Sequence, residues 1–143
     1  MQGQTTELRF PATMAAFGHA FGELRQALDD TSLDDSARYQ VELVFEEIVA
    51  NILRHGSPDG ATLAVKVELD VKQDRVLLTF DDNGVPFDPR SHPAPALPSA
   101  LEVGGLGLVL VRKAAAHLDY QRTPQHTNRL VVTLPTSRSR AVG

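Results

Sequence analysis

A long amphipathic segment that ends at His55 constrains the fold more than any other part of this chain. Its apolar residues recur every three or four positions, which is the spacing of one face of an α-helix. Asp34 or Asp35 can cap the start of this helix, and Gly56 can end it. A helix with one apolar stripe needs a second layer to bury it. The predicted buried face consists of Ala37, Val41, Val44, Ile48 and Ile52.

The segments around this helix predict that second layer. Residues 63–69 alternate apolar and polar side chains, and residues 76–80 read as the partner strand of a hairpin. The other predicted elements are a strand over 7–10, a helix with the stripe Met14, Phe17, Phe21, Leu24 and Leu28, a helix over 106–118, and strands over 120–123 and 129–134. This order predicts an α+β fold, with helices on one face of a largely antiparallel sheet. We expect one domain over residues 1–143, with a frayed tail from about residue 136.

Charge and cysteine content argue against several classes of protein. The formal net charge of -4 and the pI of about 5.7 argue against a protein that grips the nucleic acid backbone. The absence of cysteine removes disulfides, thiolate zinc sites and a cysteine nucleophile. The first residues lack the features of a signal peptide, and no stretch is apolar enough to span a bilayer. We therefore expect a cytoplasmic protein that binds neither nucleic acid nor membrane directly.

Three polar residues follow one edge of the helix that ends at His55. Glu47, Asn51 and His55 are four positions apart, so they line up along an edge that overlaps the apolar face. A polar side chain at a buried edge is costly unless something satisfies it. The Asn51 amide oxygen could bind a hydrated Mg²⁺, and Glu47 could orient or deprotonate a nucleophile. The alternative is an ordinary helix rim with exposed Glu and Asn.

A polar turn follows the strand over 76–80. Asp82 could accept a hydrogen bond from an exocyclic amine such as that of adenine, and Gly84 would let a base approach the backbone closely. The alternative is simple turn chemistry.

A proline-rich loop and a glycine run precede the last long helix. Five of the nine prolines lie within residues 86–98, which predicts a long irregular loop. Residues 104–108 then open a helix, where exposed N–H groups and the helix dipole favour phosphate. The alternative is a flexible hinge. No Gly-Lys-Ser or Gly-Lys-Thr follows, so this is not a Walker A loop. We interpret Arg112, Lys113, Arg122 and Arg129 as a solvated surface or as neighbours of a phosphate.

Taken together, these motifs resemble the GHKL, or Bergerat-type, ATP-binding fold of histidine kinases and gyrase. The chain is most similar to the stand-alone serine-protein kinases that act as anti-sigma factors in bacterial stress and sporulation switches. Residues 45–56 resemble the N box of that branch, and residues 82–89 and 104–108 resemble its two glycine boxes. Residues 128–130 resemble its final hairpin. The resemblance implies a two-layer α/β sandwich with a mostly antiparallel, mixed sheet.

The resemblance also implies roles for individual residues. Asn51 would bind Mg²⁺, and Glu47 would act as the base that activates a serine hydroxyl on a protein substrate. Asp82 would bind the adenine amine, and the segment of about 86–104 would form the ATP lid. The remaining expected nucleotide-binding residues are Gly84, Phe87, Gly104, Gly105, Leu106, Gly107 and Leu108, with Gly105 and Gly107 near the phosphates.

The function implied by the resemblance is that of a Mg-ATP-dependent serine/threonine kinase. Such a kinase phosphorylates an anti-anti-sigma protein of the STAS type and sequesters a sigma factor. Family members commonly form homodimers, so a homodimer is a possible assembly. Two alternatives stay open. One is an ATP-binding regulatory module with little or no catalysis, and the other is a detached ATPase domain that works for another assembly.

Overall fold

The computed structural model describes residues 4–55, 62–91 and 105–136. The elements in these ranges are the strands β1 (Gln4–Pro11), β2 (Ala64–Val71), β3 (Arg75–Asp82), β4 (His117–Arg122) and β5 (Asn128–Pro135), and the helices α1 (Met14–Asp29), α2 (Asp35–His55) and α3 (Gly105–Ala114). A single turn of 3₁₀ helix covers Pro89–Ser91. No helix in the described ranges has the length and apolar character that crossing a membrane requires.

The strands form one sheet in the order β1-β2-β3-β5-β4. All four pairings between these strands are antiparallel. The predicted α+β class, with helices on one face of an antiparallel sheet, is therefore confirmed. The resemblance also implies a mixed sheet, and this detail is wrong for the described strands. Each of them runs antiparallel to its neighbours.

The alternation along each strand separates a buried face from a half-buried face. In β2, Val65, Val67 and Leu69 are buried, whereas Lys66 and Glu68 are partly exposed on the other side. The same alternation holds along β3 and β5. The buried faces pack against the helices, so the core lies between two layers.

Helix α2 occupies the centre of the helical layer. It packs against α1, α3, β3 and β5. All five residues of its predicted apolar face are buried, and Phe45 and Val49 are fully buried as well. The buried arc is wider than predicted because neighbouring helices contact α2 in addition to the sheet.

The largest differences between predicted and observed boundaries come from strand pairing. β3 continues to Asp82, two residues beyond its predicted end, so Asp82 lies in the strand and not in the turn that follows it. β1 begins at Gln4 because it pairs with β2 along its whole length. The helix predicted over 106–118 ends at Ala114, because His117 and Leu118 pair with β5 as the start of β4. In the proline-rich loop, residues 92–98 lie outside the described part of the chain, as does the tail after Thr136.

The side chain of Phe45 provides a test of the core. Its ring lies 5.9–6.4 Å, between centroids, from those of Phe10, Phe17, Phe21 and Phe80. We expect Phe45→Ala to lower the free energy of unfolding by about 3–5 kcal/mol, because it leaves a cavity among these rings.

The matched control is Tyr39→Ala on the same helix, because Tyr39 is 62% exposed. Its effect is expected to stay within about 0.5 kcal/mol. Urea denaturation of both variants measures the difference, and similar values for the two would contradict the packing assigned to Phe45.

Candidate functional site

A row of polar side chains closes one end of the sheet on the face that the helices cover. In the strand register, Asp82 of β3 pairs with Asn128 of β5, and Asn128 pairs with Arg122 of β4. The next row on the same face consists of Phe80, Leu130 and Tyr120. The apolar core therefore gives way to hydrogen-bonding groups within two residues along each strand.

A cleft lies between α2 and this end of the sheet. It encloses about 400 Å³ of space, including solvent. Ile48, Asn51 and His55 line it from α2, and Asp82 and Asn128 line it from the sheet. Val85, Phe87 and Pro89 form a wall from the loop that follows β3. The walls are largely apolar and carry few polar groups, which is typical of a small-molecule site.

Asp82 presents one carboxylate oxygen to the protein and keeps the other available. The residue is 8% exposed, and its Oδ1 accepts hydrogen bonds from the backbone N of Gly84 at 2.9 Å and from Asn128 Nδ2 at 3.0 Å. No group in the described ranges donates a hydrogen bond to Oδ2. A donor in the cleft can therefore be accepted by Oδ2.

Burial raises the pKa of Asp82 above its ordinary value. The hydrogen bonds from Asn128 and Gly84 and the charge of Arg122 act in the opposite direction. A carboxylate whose folded-state pKa is raised costs stability while it is ionised, and this cost disappears as the pH falls through that pKa. Raised values of this kind, in a cleft, are characteristic of functional sites.

Glu47 lies against the first turns of α3. A Cβ atom built on Gly107 would stand 1.8 Å from Glu47 Oε1 and 2.7 Å from its carboxyl carbon. Only glycine leaves room for the carboxylate at this position. Burial raises the pKa of Glu47, the neighbouring Glu46 raises it further, and Arg54 opposes the shift. Glu47 therefore holds a proton more readily than an ordinary glutamate does.

Asn51 is a buried polar side chain with spare hydrogen-bonding capacity. It is 4% exposed and lines the cleft, and no other described residue forms a hydrogen bond with its amide. One amide oxygen fits Mg²⁺, which takes one or two protein ligands and fills its other positions with water and phosphate. The described residues contain no cluster of three or more His, Asp or Glu that could hold a metal by itself.

Three expected site residues, one each on α2, β3 and the loop after β3, come together in the cleft. Asn51, Asp82 and Phe87 all line it, and Gly84 is buried beside Asp82. Phe87 stacks on His55, with ring centroids 5.0 Å apart and planes 11° apart. The sequence placed His55 on the same helix edge as Asn51 but gave it no contact with the loop.

The expected residues of the glycine run differ from one another in their surroundings. Gly107 is buried beside Glu47, and neither residue is part of the cleft lining. Leu108 is 2% exposed and belongs to the core, so only its backbone can face a ligand. Gly105 and Leu106 begin α3, and Gly104 lies outside the described residues.

Local sequence patterns assign no role in the site to Asn128 or Tyr120. Asn128 belongs only to the segment that resembles the family's final hairpin, and the sequence predicts that Arg122 is solvated or close to a phosphate. Arg122 is solvent-exposed, yet its Nη1 donates to the backbone oxygen of Gly84 at 2.8 Å and to Asn128 Oδ1 at 3.2 Å. The signal for these residues is the pairing of β5 with β3 and β4, which local patterns do not reveal.

Comparison with known protein families identifies this arrangement. The family described as "Histidine kinase-like ATPase domain" matches residues 10–134. The chain belongs to this family. The resemblance to the GHKL fold inferred from the three motifs is thereby confirmed, because the matched region contains all of them.

An individual relative of this chain matches a shorter region than the family does. The serine/threonine-protein kinase BtrW of Bordetella bronchiseptica is 33% identical over 88 residues, which cover 59% of this chain and 62% of BtrW. The match thus spans less than two thirds of that relative's length.

Two solved structures resemble the histidine kinase-like domain in fold. The structure of the RsbU and RsbW domains of Rv1364c from Mycobacterium tuberculosis has a TM-score of 0.63 at 16% identity, covering 93% of this chain and 32% of that one. The SiaB–SiaC complex from Pseudomonas aeruginosa gives a TM-score of 0.58 at 13% identity, with 91% and 89% covered. At these identities the likeness establishes the fold alone.

The contact between Glu47 and Gly107 can be tested by their energetic coupling. Alanine is favoured over glycine inside a helix by about 1 kcal/mol. In a Glu47→Ala background, we expect Gly107→Ala to raise the free energy of unfolding by up to about that amount. In the wild-type background the gain is reduced or reversed, because the new methyl group must displace the Glu47 carboxylate.

Gly22→Ala in α1 is the matched control, because a Cβ there meets nothing within 4 Å. Urea denaturation of the single and double variants gives the coupling. An identical effect of Gly107→Ala in both backgrounds would show that the two residues are not in contact.

Proposed function

We propose that this chain is a Mg-ATP-dependent serine/threonine-protein kinase that phosphorylates an anti-anti-sigma protein and sequesters a sigma factor. The observation that carries the proposal is the buried Asp82, which has one oxygen held by the protein and the other available in a cleft that it shares with Asn51. Membership of a histidine kinase-like ATPase family supports the use of ATP. The name of the relative BtrW supports protein serine/threonine as the acceptor.

Adenine recognition is assigned to Asp82. The exocyclic amine of adenine is a hydrogen-bond donor, and an ionised carboxylate is an acceptor only. Oδ2 would accept from this amine, while Phe87, Ile48 and Val85 offer apolar contacts around the base. Gly84 has no side chain to obstruct it.

Phosphate and metal binding are assigned to α2 and the start of α3. Asn51 would hold Mg²⁺, which would neutralise phosphate charge during transfer. The N–H groups at the start of α3 would face phosphate, with Gly105 and Gly107 allowing a close approach.

Glu47 is assigned the role of general base. The serine or threonine oxygen of the substrate would form a bond to the γ-phosphorus of ATP as the bond to the β,γ-bridging oxygen breaks and ADP leaves. The hydroxyl proton would pass to the Glu47 carboxylate. The raised pKa of Glu47 strengthens it as a proton acceptor as long as it is ionised at the working pH.

The partner proteins are proposed from the resemblance to anti-sigma kinases. We expect the substrate to be a STAS-type anti-anti-sigma protein and the sequestered partner to be a sigma factor. A solved structure of similar fold is that of SiaB in complex with another protein, SiaC. A homodimer and a cytoplasmic location remain part of the proposal, as does a single domain over residues 1–143.

Nucleotide binding provides the first test, through two substitutions that separate the base contact from the metal contact. Asp82→Asn keeps an acceptor for Asn128 and Gly84 but places an amide where the adenine amine would donate. We expect about a 10- to 100-fold loss of ATP affinity, with or without Mg²⁺, from the lost charged hydrogen bond. Asn51→Ala should weaken ATP binding only when Mg²⁺ is present. Isothermal titration with ATP, with and without Mg²⁺, measures both.

Folding is controlled in the same experiment by thermal unfolding. Asp82→Asn should unfold at the same temperature as wild type or higher, because an ionised group with a raised pKa is removed. Undiminished ATP affinity in Asp82→Asn would refute the assignment of the base contact. Equal Mg²⁺ dependence in Asn51→Ala and wild type would refute the metal assignment.

Phosphoryl transfer provides the second test. We expect Glu47→Gln to retain ATP affinity and to lose about 10²- to 10⁴-fold in the rate of transfer to the cognate antagonist protein. In the wild type the rate should fall on the acid side, at a pH above that expected for an ordinary glutamate, because the raised pKa lets Glu47 take up a proton sooner. The measurement is the single-turnover rate with ATP as a function of pH.

Glu46→Gln is the matched control, because it alters the adjacent carboxylate on the same helix. Its rate should stay close to that of wild type, and its acid limb should move to lower pH because a charge that raises the pKa of Glu47 is gone. Full transfer by Glu47→Gln would exclude the base role. Wild-type protein that binds ATP and its partner without ever labelling it would favour the regulatory module.

A further inference from the structure

We propose that Asn128 is the positioning residue that makes this cleft selective for adenine over guanine. It fixes Asp82 through Oδ1 and so leaves Oδ2 as the acceptor presented to the base. This inference rests on the proposed nucleotide binding and extends it to a residue on β5.

The Asn128 amide is fully used within the protein. Its Nδ2 donates to Asp82 Oδ1 at 3.0 Å and to the backbone oxygen of Val85 at 2.8 Å. Its Oδ1 accepts from the Tyr120 hydroxyl and from Arg122 Nη1 at 3.2 Å. The side chain is 6% exposed, so water cannot replace these partners without cost.

This arrangement allows only one orientation of the amide. Tyr120 and Arg122 present donors on one side, whereas Asp82 and Val85 present acceptors on the other. A flipped amide would direct its NH₂ at the Arg122 guanidinium and its oxygen at a carboxylate. Both contacts are unfavourable, so the amide donates to Asp82 in the folded protein.

The orientation of the Asn128 amide determines which oxygen of Asp82 is available to a ligand. Oδ1 has two donors from the protein, Asn128 and the Gly84 N–H, so the carboxylate cannot rotate without losing them. Oδ2 remains as an acceptor. Adenine carries an amine donor at its sixth position, where guanine carries a carbonyl acceptor. A carboxylate held in this way favours the first base and repels the second.

Asn128 also shapes the wall of the cleft. Besides the bond to Val85, its Oδ1 accepts from the backbone N of Phe87 at 3.4 Å. Arg122 binds the backbone oxygen of Gly84 from the same cluster. The loop that follows β3 is therefore anchored to β5 and β4 at three backbone groups, those of Gly84, Val85 and Phe87. A substitution at Asn128 would therefore displace both the acceptor oxygen of Asp82 and the loop that forms the wall of the cleft.

The charged and titratable groups around Asp82 are few in the described ranges. Asp81 precedes it on β3 and is paired with Lys66 and Arg129. Arg122 and Tyr120 face it from β4 through Asn128, and His55 lines the cleft from α2. A His55→Gln background removes this imidazole from the cleft, so that it does not contribute to the pH dependence of binding.

Asn128→Asp tests the inference by pH. The substitution keeps the size of the side chain but replaces the donor with a carboxylate. At pH 8 two carboxylates face each other, and we expect at least about a tenfold loss of ATP affinity. As the pH falls toward 6, a proton shared by the pair restores the donor, so affinity for ATP should rise. The parent protein should show no such rise. Isothermal titration of the full chain with ATP and with GTP measures affinity and selectivity.

Tyr120→Phe keeps the inference testable if Asn128→Asp does not fold. It removes one donor that orients the amide and leaves Asp82 untouched. We expect the ratio of ATP to GTP affinity to fall by about threefold. Folded Asn128→Asp with the affinity and pH profile of its parent, or an unchanged ratio in Tyr120→Phe, would overturn the inference. Failure of wild-type protein to bind ATP at all would overturn the proposed function instead.

Discussion

The burial of α2 against the sheet is the interaction on which the rest of this structure depends. Its apolar face packs on β3 and β5, and the neighbouring helices cover its flanks. The same helix carries Glu47 and Asn51 at the edge of that face. The free energy that folds the protein therefore also holds these two side chains in place. A site on a packed helix is positioned more accurately than a site on a loop.

The cleft is formed where the apolar core ends rather than where it is interrupted. On α2, Ile48 and Ile52 still line the cleft beside Asn51. On the sheet, the row of Phe80 and Leu130 is followed directly by Asp82 and Asn128. Burying these polar groups is costly, and the two sheet residues offset part of that cost by bonding to each other. Asn51 has no such partner among the described residues, so a ligand is the natural source of one.

Periodicity and motif order were sufficient to predict the elements and three residues of the cleft, Asn51, Asp82 and Phe87. The stripe from Ala37 to Ile52 gave α2 and its face, because helix period and burial agree there. The polar residues after Phe80 indicated Asp82, although β3 continues through Asp82 and the chain leaves the sheet only after it. The start of β4 could not be predicted, because Ala114, Ala115 and Ala116 continue a helical pattern that strand pairing overrides.

The role of Asn128 in the site could not be predicted for a related reason. Nothing in its local sequence distinguishes it from a residue of an ordinary hairpin. Its importance follows from the register that sets it opposite Asp82 on one side and Arg122 on the other. Register between distant strands depends on the whole sheet, so a single sequence read locally does not contain it.

The strand order determines when, during folding, the sheet side of the cleft is completed. β2 and β3 are joined by a short turn, so this hairpin can form as soon as both strands exist. β3 and β5 meet across 46 residues, measured from Asp82 to Asn128. Closing a segment of that length costs more chain entropy and slows pairing. During synthesis on the ribosome, β1, α2, β2 and β3 emerge before β5. They can form only the part of the cleft that lies on α2 and β3. The side of the cleft that Asn128 and Leu130 line is therefore completed last, once β5 has paired with β3.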